Sequence, residues 1–307
     1  MTNYDKRTAK YENRPNNSFS SVRPYFIYLW AAPKNAFNLV FNVLHNFFFL
    51  QWRQKFHLTH RPIIYVNGET DDKIPFTPSY VKVYLSFVQY FIKPFDLIYK
   101  RLGLRRGLKY GSRSIKFISR LYKNAANIYK FCLSTTPRPD YNEMKEFRTI
   151  HGWDPHYLCV PSLHVAIASG VYSWYTQLFQ EMCDNGLVSQ EEVNRRSQEF
   201  RKEGIAIIES VLFVKQHSVN CIPTALYMVT KTMSESGAKP EDYHAYIKDI
   251  FATVPELSDE MKKELQDWFT ALYEKLMKEG ETAEQWQIPI KKWLIDHAQE
   301  TNQQMPL

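Results

Sequence analysis

The sequence predicts an all-α protein. Apolar residues recur at helical spacing along most of the chain, and strand-like alternation is rare. Only ten glycines interrupt 307 residues. The chain is 44% hydrophobic and 15% aromatic. That is enough to bury a sizeable core, so disorder throughout is excluded. The length suits one large domain or two modest ones.

The elements follow in order. Residues 1–22 begin MTNYDKRTAKYENRPNN, are polar, and predict a flexible arm. They contain no apolar run of the kind that marks a secretory signal. Residues 25–60 are apolar and aromatic, with one helix expected after Pro33. RPIIYVNGETDDKIPFTP (61–78) reads as a loop because of its prolines, Asn-Gly and Asp-Asp. A helix is expected from Pro78 to about Tyr99, and a basic one over 112–133. STTPRPDY (134–141) must be irregular, since prolines flank Arg138. HGWDPHYLCV (151–160) is a loop leading to Pro161. Proline is favoured in the first turn, so a helix is predicted from Pro161 to about Gln180, closed by Asp184-Asn185-Gly186.

Residues 189–217 predict a long helix broken near Gly204, with Pro223 starting or kinking the next. Ser258 is a helix cap, followed by Asp259 and Glu260 in the first turn. The stripe Leu265, Trp268, Phe269, Leu272 and Leu276 is core-facing by spacing. Three parts result: a flexible arm (1–22), a helical core (23–234) and an acidic helical extension (235–307) packed on that core. The extension carries no nameable chemistry and offers a surface for a dimer or another partner, so the oligomeric state stays open.

No membrane span is expected. AFNLVFNVLHNFFFLQW (36–52) holds three Asn, a His and a Gln, and is too short. Residues 79–99 include Lys82, Lys93, Pro94 and Asp96, and the apolar run at 205–214 includes Glu209. Aromatic residues beside Lys and Arg suit contact with a membrane surface instead.

Charge divides the chain. Residues 1–130 carry 22 Lys and Arg against six Asp and Glu, whereas the remainder carries 17 against 26. The densest part, 100–130, has no acidic residue. Such a run attracts phosphate on lipid, nucleic acid or a small molecule, or forms a solvated helix face neutralised by the acidic half. The four cysteines, Cys132, Cys159, Cys183 and Cys221, form no CxxC pair or finger spacing. They fit a reducing compartment, hence a cytoplasmic protein or one at the membrane periphery.

Three stretches carry candidate chemistry: Lys130 with Arg138-Pro139, Pro161-Ser162-Leu163-His164, and VKQHSVNC with Lys215 and His217. Each alone is weak. A histidine at a helix start is usually structural, and Lys or Arg near a Pro-rich loop is usually just exposed.

Together, in this order, they resemble the superfamily of type 2 phosphatidic acid phosphatases, bacterial acid phosphatases and vanadium haloperoxidases. That family shows K-x6-R-P, P-S-G-H and S-R-x5-H-x3-D. Here Lys130-FCLSTTP-Arg138-Pro139 is one residue longer. Leu163 stands in the Gly position. Ser210-VLFVKQ-His217 keeps the Ser-to-His interval, with Val211 for the usual Arg and Lys215 available to supply charge. Cys221 occupies the position of the usual Asp. The motifs span residues 130–221.

The resemblance implies a helical bundle whose core helices carry all three motifs, and a phosphatase or phosphotransferase. His217 attacks phosphorus to give a phosphohistidine, and His164 protonates the leaving alkoxide and later activates water. No cofactor or metal is required, and vanadate is the expected inhibitor. A lipid phosphate or other phosphorylated amphiphile is the implied substrate, with membrane contact through the basic 100–130 stretch.

The residue types suit phosphoryl chemistry. Cations and N–H donors must spread the charge of the transferring group. A helix start at Pro161–His164 offers free amides, and Ser162 and Ser210 add hydroxyls. Arg138 can grip two oxygens, while Lys130 and Lys215 act as point charges. The attacking histidine needs an acceptor on its other nitrogen, normally the Asp. Asn220, Glu209 and Asp154 are the candidates to replace it.

Three competing readings are distinct. His151, Asp154, His156, Cys159 and His164 lie within 14 residues, but their spacing fits no helical zinc pair. The basic stretch with Tyr110, Phe117 and Tyr122 suits a nucleic-acid-binding protein, although no recognised motif accompanies it. A catalytically impaired relative would bind phospholipid headgroups without turnover.

Overall fold

The computed structural model describes residues 10–303. The described residues are mostly helical, as expected. The first helices are α1 (Arg23–Ala31), α2 (Pro33–Val43) and α3 (Phe49–Lys55), with a π-helical turn over Leu44–Phe48 between the last two. Strand β1 (Ile63–Tyr65), α4 (Glu69–Lys73) and α5 (Val81–Leu85) lead into α6 (Phe87–Tyr129). Then come β2 (Leu133–Thr135), α7 (Lys145–Trp153), α8 (Leu163–Asp184), α9 (Gln190–Phe213) and α10 (Cys221–Glu235). The chain closes with α11 (His244–Ile247), α12 (Asp259–Thr282) and α13 (Ile288–Glu300).

Helix α8 is the centre, packing against α6, α9 and α10. Its residues from Leu163 to Ser169 are all buried. It starts two residues later than expected: Pro161 precedes the cap, and Ser162 caps the helix by accepting from the Val165 amide at 3.3 Å. Ser189 caps α9 and Ser258 caps α12 in the same way. Of these three caps, Ser258 is the one expected from the sequence.

The expected break at Gly204 does not occur. Helix α9 is continuous, and a Cβ at Gly204 would stand 3.0 Å from the Ala168 carbonyl and from the Tyr90 and Tyr246 hydroxyls. The glycine serves close helix packing rather than a kink. The break lies instead at Gly103 in α6, with φ of 73°. Two further expectations need correction. A helix precedes Pro33 as well as following it, and the 61–78 loop contains β1 and α4.

The arm reading also changes for residues 10–22; residues 1–9 lie outside the described residues. Arg196 donates to the carbonyls of Tyr11, Glu12 and Arg14 and to Asn16 Oδ1, and the Ser20 amide donates to Asp96. Buried Arg196 and Arg101 both engage Glu192, so the arm, α6 and α9 share one network.

The acidic extension packs on the core. Helix α12 lies on α10, and Leu265, Phe269, Leu272 and Leu276 are buried. Trp268 departs from the expected stripe: it is 44% exposed, and its Nε1 donates to Asn220 Oδ1. An i, i+4, i+7, i+11 face omits position 268, which flanks it. Residue Gln303 pairs with both backbone groups of Tyr65 and covers the β1 edge.

Strands β1 and β2 are parallel, with Ile64 opposite Ser134. On the far side of β2, Ser134 exchanges backbone bonds with Tyr157 and Cys159, and its hydroxyl accepts from the Val160 amide at 2.7 Å. This holds residues 157–160 straight into the cis Val160–Pro161 bond and the start of α8. No helix among the described residues is long and apolar enough to cross a membrane.

Candidate functional site

Two motif stretches meet at the N-terminus of α8. The cap residue Ser162 places Oγ 3.2 Å from Nε2 of His217, which lies in the turn between α9 and α10. Two residues on, His164 brings its ring centroid within 5.5 Å of His217. Tyr129 fixes this corner from α6, its hydroxyl donating to the Pro161 carbonyl at 2.5 Å.

His164 is buried between aromatic rings. Tyr84 of α5 stacks on it at 4.2 Å, and Phe87 of α6 lies at 4.1 Å. Desolvation, helped by His217, holds its pKa well below the usual histidine value, so it rests neutral. His217 is held down to about 3, first by burial and then by the Arg138 charge, while the Cys159 backbone opposes the shift.

The Ser162 oxygen already accepts from Val165, so its hydroxyl proton is free to donate to Nε2 of His217. In that arrangement the imidazole proton sits on Nδ1, which has no hydrogen-bond partner among the described residues, while the Cys159 backbone favours the protonated ring.

The loop bearing His217 is braced by Asp71. This buried carboxylate accepts from the Gly68 and Val219 amides and the Ser218 hydroxyl, each within 2.9 Å. The Ser218 hydroxyl also reaches the Val66 carbonyl, and Asn220 Nδ2 donates to the same oxygen at 2.9 Å. Burial raises the Asp71 pKa against these bonds.

Arg138 contributes from the Pro-flanked segment. Its guanidinium donates to the Asp154 carbonyl at 3.0 Å and to the carboxylate at 2.9 Å. Asp154 also accepts from the His156 amide. Residues Asp154, His156, His164 and His217, with Phe47, Leu158 and Leu163, line a small cavity of about 10 Å³. That is close to the room one water needs.

Beyond it runs a groove of about 320 Å³ between α1, α2 and α6, lined by apolar and tyrosine side chains such as Tyr28, Val43, Phe91 and Tyr122. Phe47, Leu163 and His164 border both spaces. Phe47 belongs to the π-helical turn, a feature often found at functional sites.

The remaining predicted residues lie apart. Lys130 is exposed just past α6; helix phase turns its neighbour Tyr129, not Lys130, toward the motif. Lys215 donates to the Asp71 carbonyl at 2.5 Å, and burial lowers its pKa. Ser210 bonds the Ile207 carbonyl within α9. None of the five expected phosphate-binding residues lines the cavity; Ser162 and Arg138 stand beside it, through His217 and Asp154, whereas Lys130, Lys215 and Ser210 have no such link.

The three expected orienting groups do not bond His217. Asn220 is occupied by Val66 and Trp268. Glu209 accepts from the Phe251 amide, and burial pushes its pKa up to about 7. Asp154 shares the cavity but is committed to Arg138 and His156. Cys221 accepts from the Ser218 amide and is buried near Cys159.

Sequence reasoning missed Tyr84, Phe87, Phe47 and Asp71. The aromatic residues sat inside helices read as core, and Asp71 sat in a segment read as loop. Among the described residues, no group of three or more His, Cys, Asp or Glu is placed to hold a metal. In the basic stretch, Arg101 pairs with Glu192, Arg113 with Glu181, and Arg120 with the end of α10. No protein-family model, curated protein or solved structure matches the chain.

Proposed function

We propose that the protein is a phosphatase or phosphotransferase of the type 2 phosphatidic acid phosphatase kind, acting on a phosphorylated amphiphile through a phosphohistidine on His217. The observation that carries this reading is the shared wall of Phe47, Leu163 and His164 between a small cavity lined by three histidines and Asp154 and an apolar groove. A phosphate head suits the first and an apolar tail the second. The motif order and the helical architecture support the same assignment.

In this scheme the Nε2 lone pair of His217 attacks phosphorus as the bond to the ester oxygen breaks. His164 protonates the departing alkoxide. Water, or an acceptor alcohol, then attacks phosphorus, giving its proton to neutral His164 as the N–P bond breaks. Arg138, the Ser162 hydroxyl and the α8 amides spread the charge. His164 acquires its proton on binding, because a phosphate dianion beside it favours the imidazolium. The cavity must widen for the head group, and Phe47 is the wall that opens it toward the groove.

A second reading is favoured by the small cavity and by the lack of a carboxylate on His217: a lipid-phosphate-binding protein without turnover. A phosphatase assay with orthovanadate, across a lipid phosphate and a short soluble phosphomonoester, separates the two. The proposal expects vanadate-sensitive release of phosphate, faster from the lipid, and about a thousandfold loss in His217→Ala. Binding without vanadate-sensitive turnover of any substrate would replace it with the second reading.

A further inference from the structure

We infer that the α1–α3 segment docks on an anionic lipid bilayer as an interfacial anchor that does not span it. Among the described residues, twelve of the 19 exposed large hydrophobics fall within residues 22–58. Scattered apolar residues are normal on a surface, but this concentration marks an interaction face. Phe26 is 70% exposed, Trp30 79%, Phe37 65% and Phe41 62%. Trp30 is the most exposed large hydrophobic among the described residues.

Charge selects the occupant. Residues 22–58 contain no Asp or Glu. Lys34, Arg53 and Lys55 are exposed and make no ion pair among the described residues. Exposed aromatic rings with uncompensated cations match an anionic interface, where rings enter the headgroup region and cations meet lipid phosphates. A second copy on the same face would bring the cations toward one another. Helix α2, the π-helical turn and α3 run on without a gap, but no helix among the described residues is both long and apolar enough to cross a bilayer.

The docking face adjoins the groove. Tyr25, Leu29, Val40 and Leu44 are exposed and also line it, and the groove ends at His164. A lipid tail leaving the bilayer would thus meet the groove directly. This last step rests on the proposed function; the docking itself does not. It also moves the membrane contact from the basic 100–130 stretch to a segment that the sequence suggested only as a weak span.

Sedimentation with phosphatidylcholine vesicles, with and without phosphatidylserine, tests the inference without any turnover. The full chain should bind the phosphatidylserine vesicles, and added salt should weaken binding. Phe26→Glu/Trp30→Glu and Lys34→Glu/Lys55→Glu should each reduce partition about tenfold or more. Ile288→Glu, elsewhere on the surface, should not. All are exposed positions, so melting temperatures should stay near that of the wild type. Hydrolysis of a soluble phosphomonoester by Phe26→Glu/Trp30→Glu should be unchanged, which separates loss of docking from loss of catalysis. Absence of vesicle binding, indifference to phosphatidylserine, or a self-associated state that hides Trp30 would each overturn it.

Discussion

Ser162 Oγ lies 3.2 Å from His217 Nε2, and the same oxygen caps the central helix α8. One side chain thus ties the start of that helix to the turn before α10. Ser162→Ala should lower stability by about 1 kcal/mol through the lost cap. It should also lower kcat by about tenfold or more, because His217 loses its Nε2 partner. Ser162→Thr should restore the melting temperature. A kcat unchanged in Ser162→Ala would remove Ser162 from the reaction centre.

In the proposed scheme turnover requires neutral His217 and protonated His164. Burial lowers both pKa values, His217 to about 3. The basic limb of kcat/KM, which reports the free protein, should therefore fall below the usual histidine value of about 6.5. The limb of kcat should lie at higher pH, since bound phosphate favours the His164 imidazolium. An aryl phosphate, whose leaving group needs no proton, should lose the His164 part of the limb. Identical profiles for alkyl and aryl esters would remove His164 as the acid.

The same buried imidazoles make the fold acid-labile. Their folded-state pKa values are depressed, so between about 3 and 6.5 the unfolded chain binds more protons than the native one. Their contribution is fully present above about pH 6.5 and is lost as the pH falls. For His217 the upper bound is on the order of 5 kcal/mol. Urea midpoints for the wild type should drop across this window, and His217→Gln should flatten the drop. Parallel curves for the two proteins would contradict it.

Gly204→Ala tests the central packing. Helix propensity alone would make the change stabilising by about 1 kcal/mol. The added Cβ would press on Ala168, Tyr90 and Tyr246 at 3.0 Å. Overpacking should win, with a loss of about 1–3 kcal/mol seen in thermal melts. A gain in stability would mean that α8 and α9 have slack at this point.

Helical class, the cap at Ser258 and most of the α12 stripe were legible, because they rest on local chemistry and spacing, whereas the start of α8 was set two residues early, at Pro161. Trp268 was not, since four positions already complete the buried face and a fifth falls beside it. Gly204 could not be told from a helix breaker, because a close neighbour leaves no trace in the local sequence. At the site, the motif order located His164, His217, Ser162 and Arg138. It misplaced Lys130, where one residue of helical phase turned the side chain outward. The aromatic sandwich on His164 and the Asp71 brace come from segments distant in sequence, and only the fold brings them together.

The central claim is that His217 carries the phosphoryl group. Rapid acid-free quenching of the protein with a radiolabelled lipid phosphate, followed by base-stable, acid-labile detection of phosphohistidine, measures it directly. The account predicts label on the wild type within one turnover, blocked by vanadate and absent from His217→Ala. Vanadate-sensitive turnover with label equally retained in His217→Ala, or carried on another residue, would contradict it.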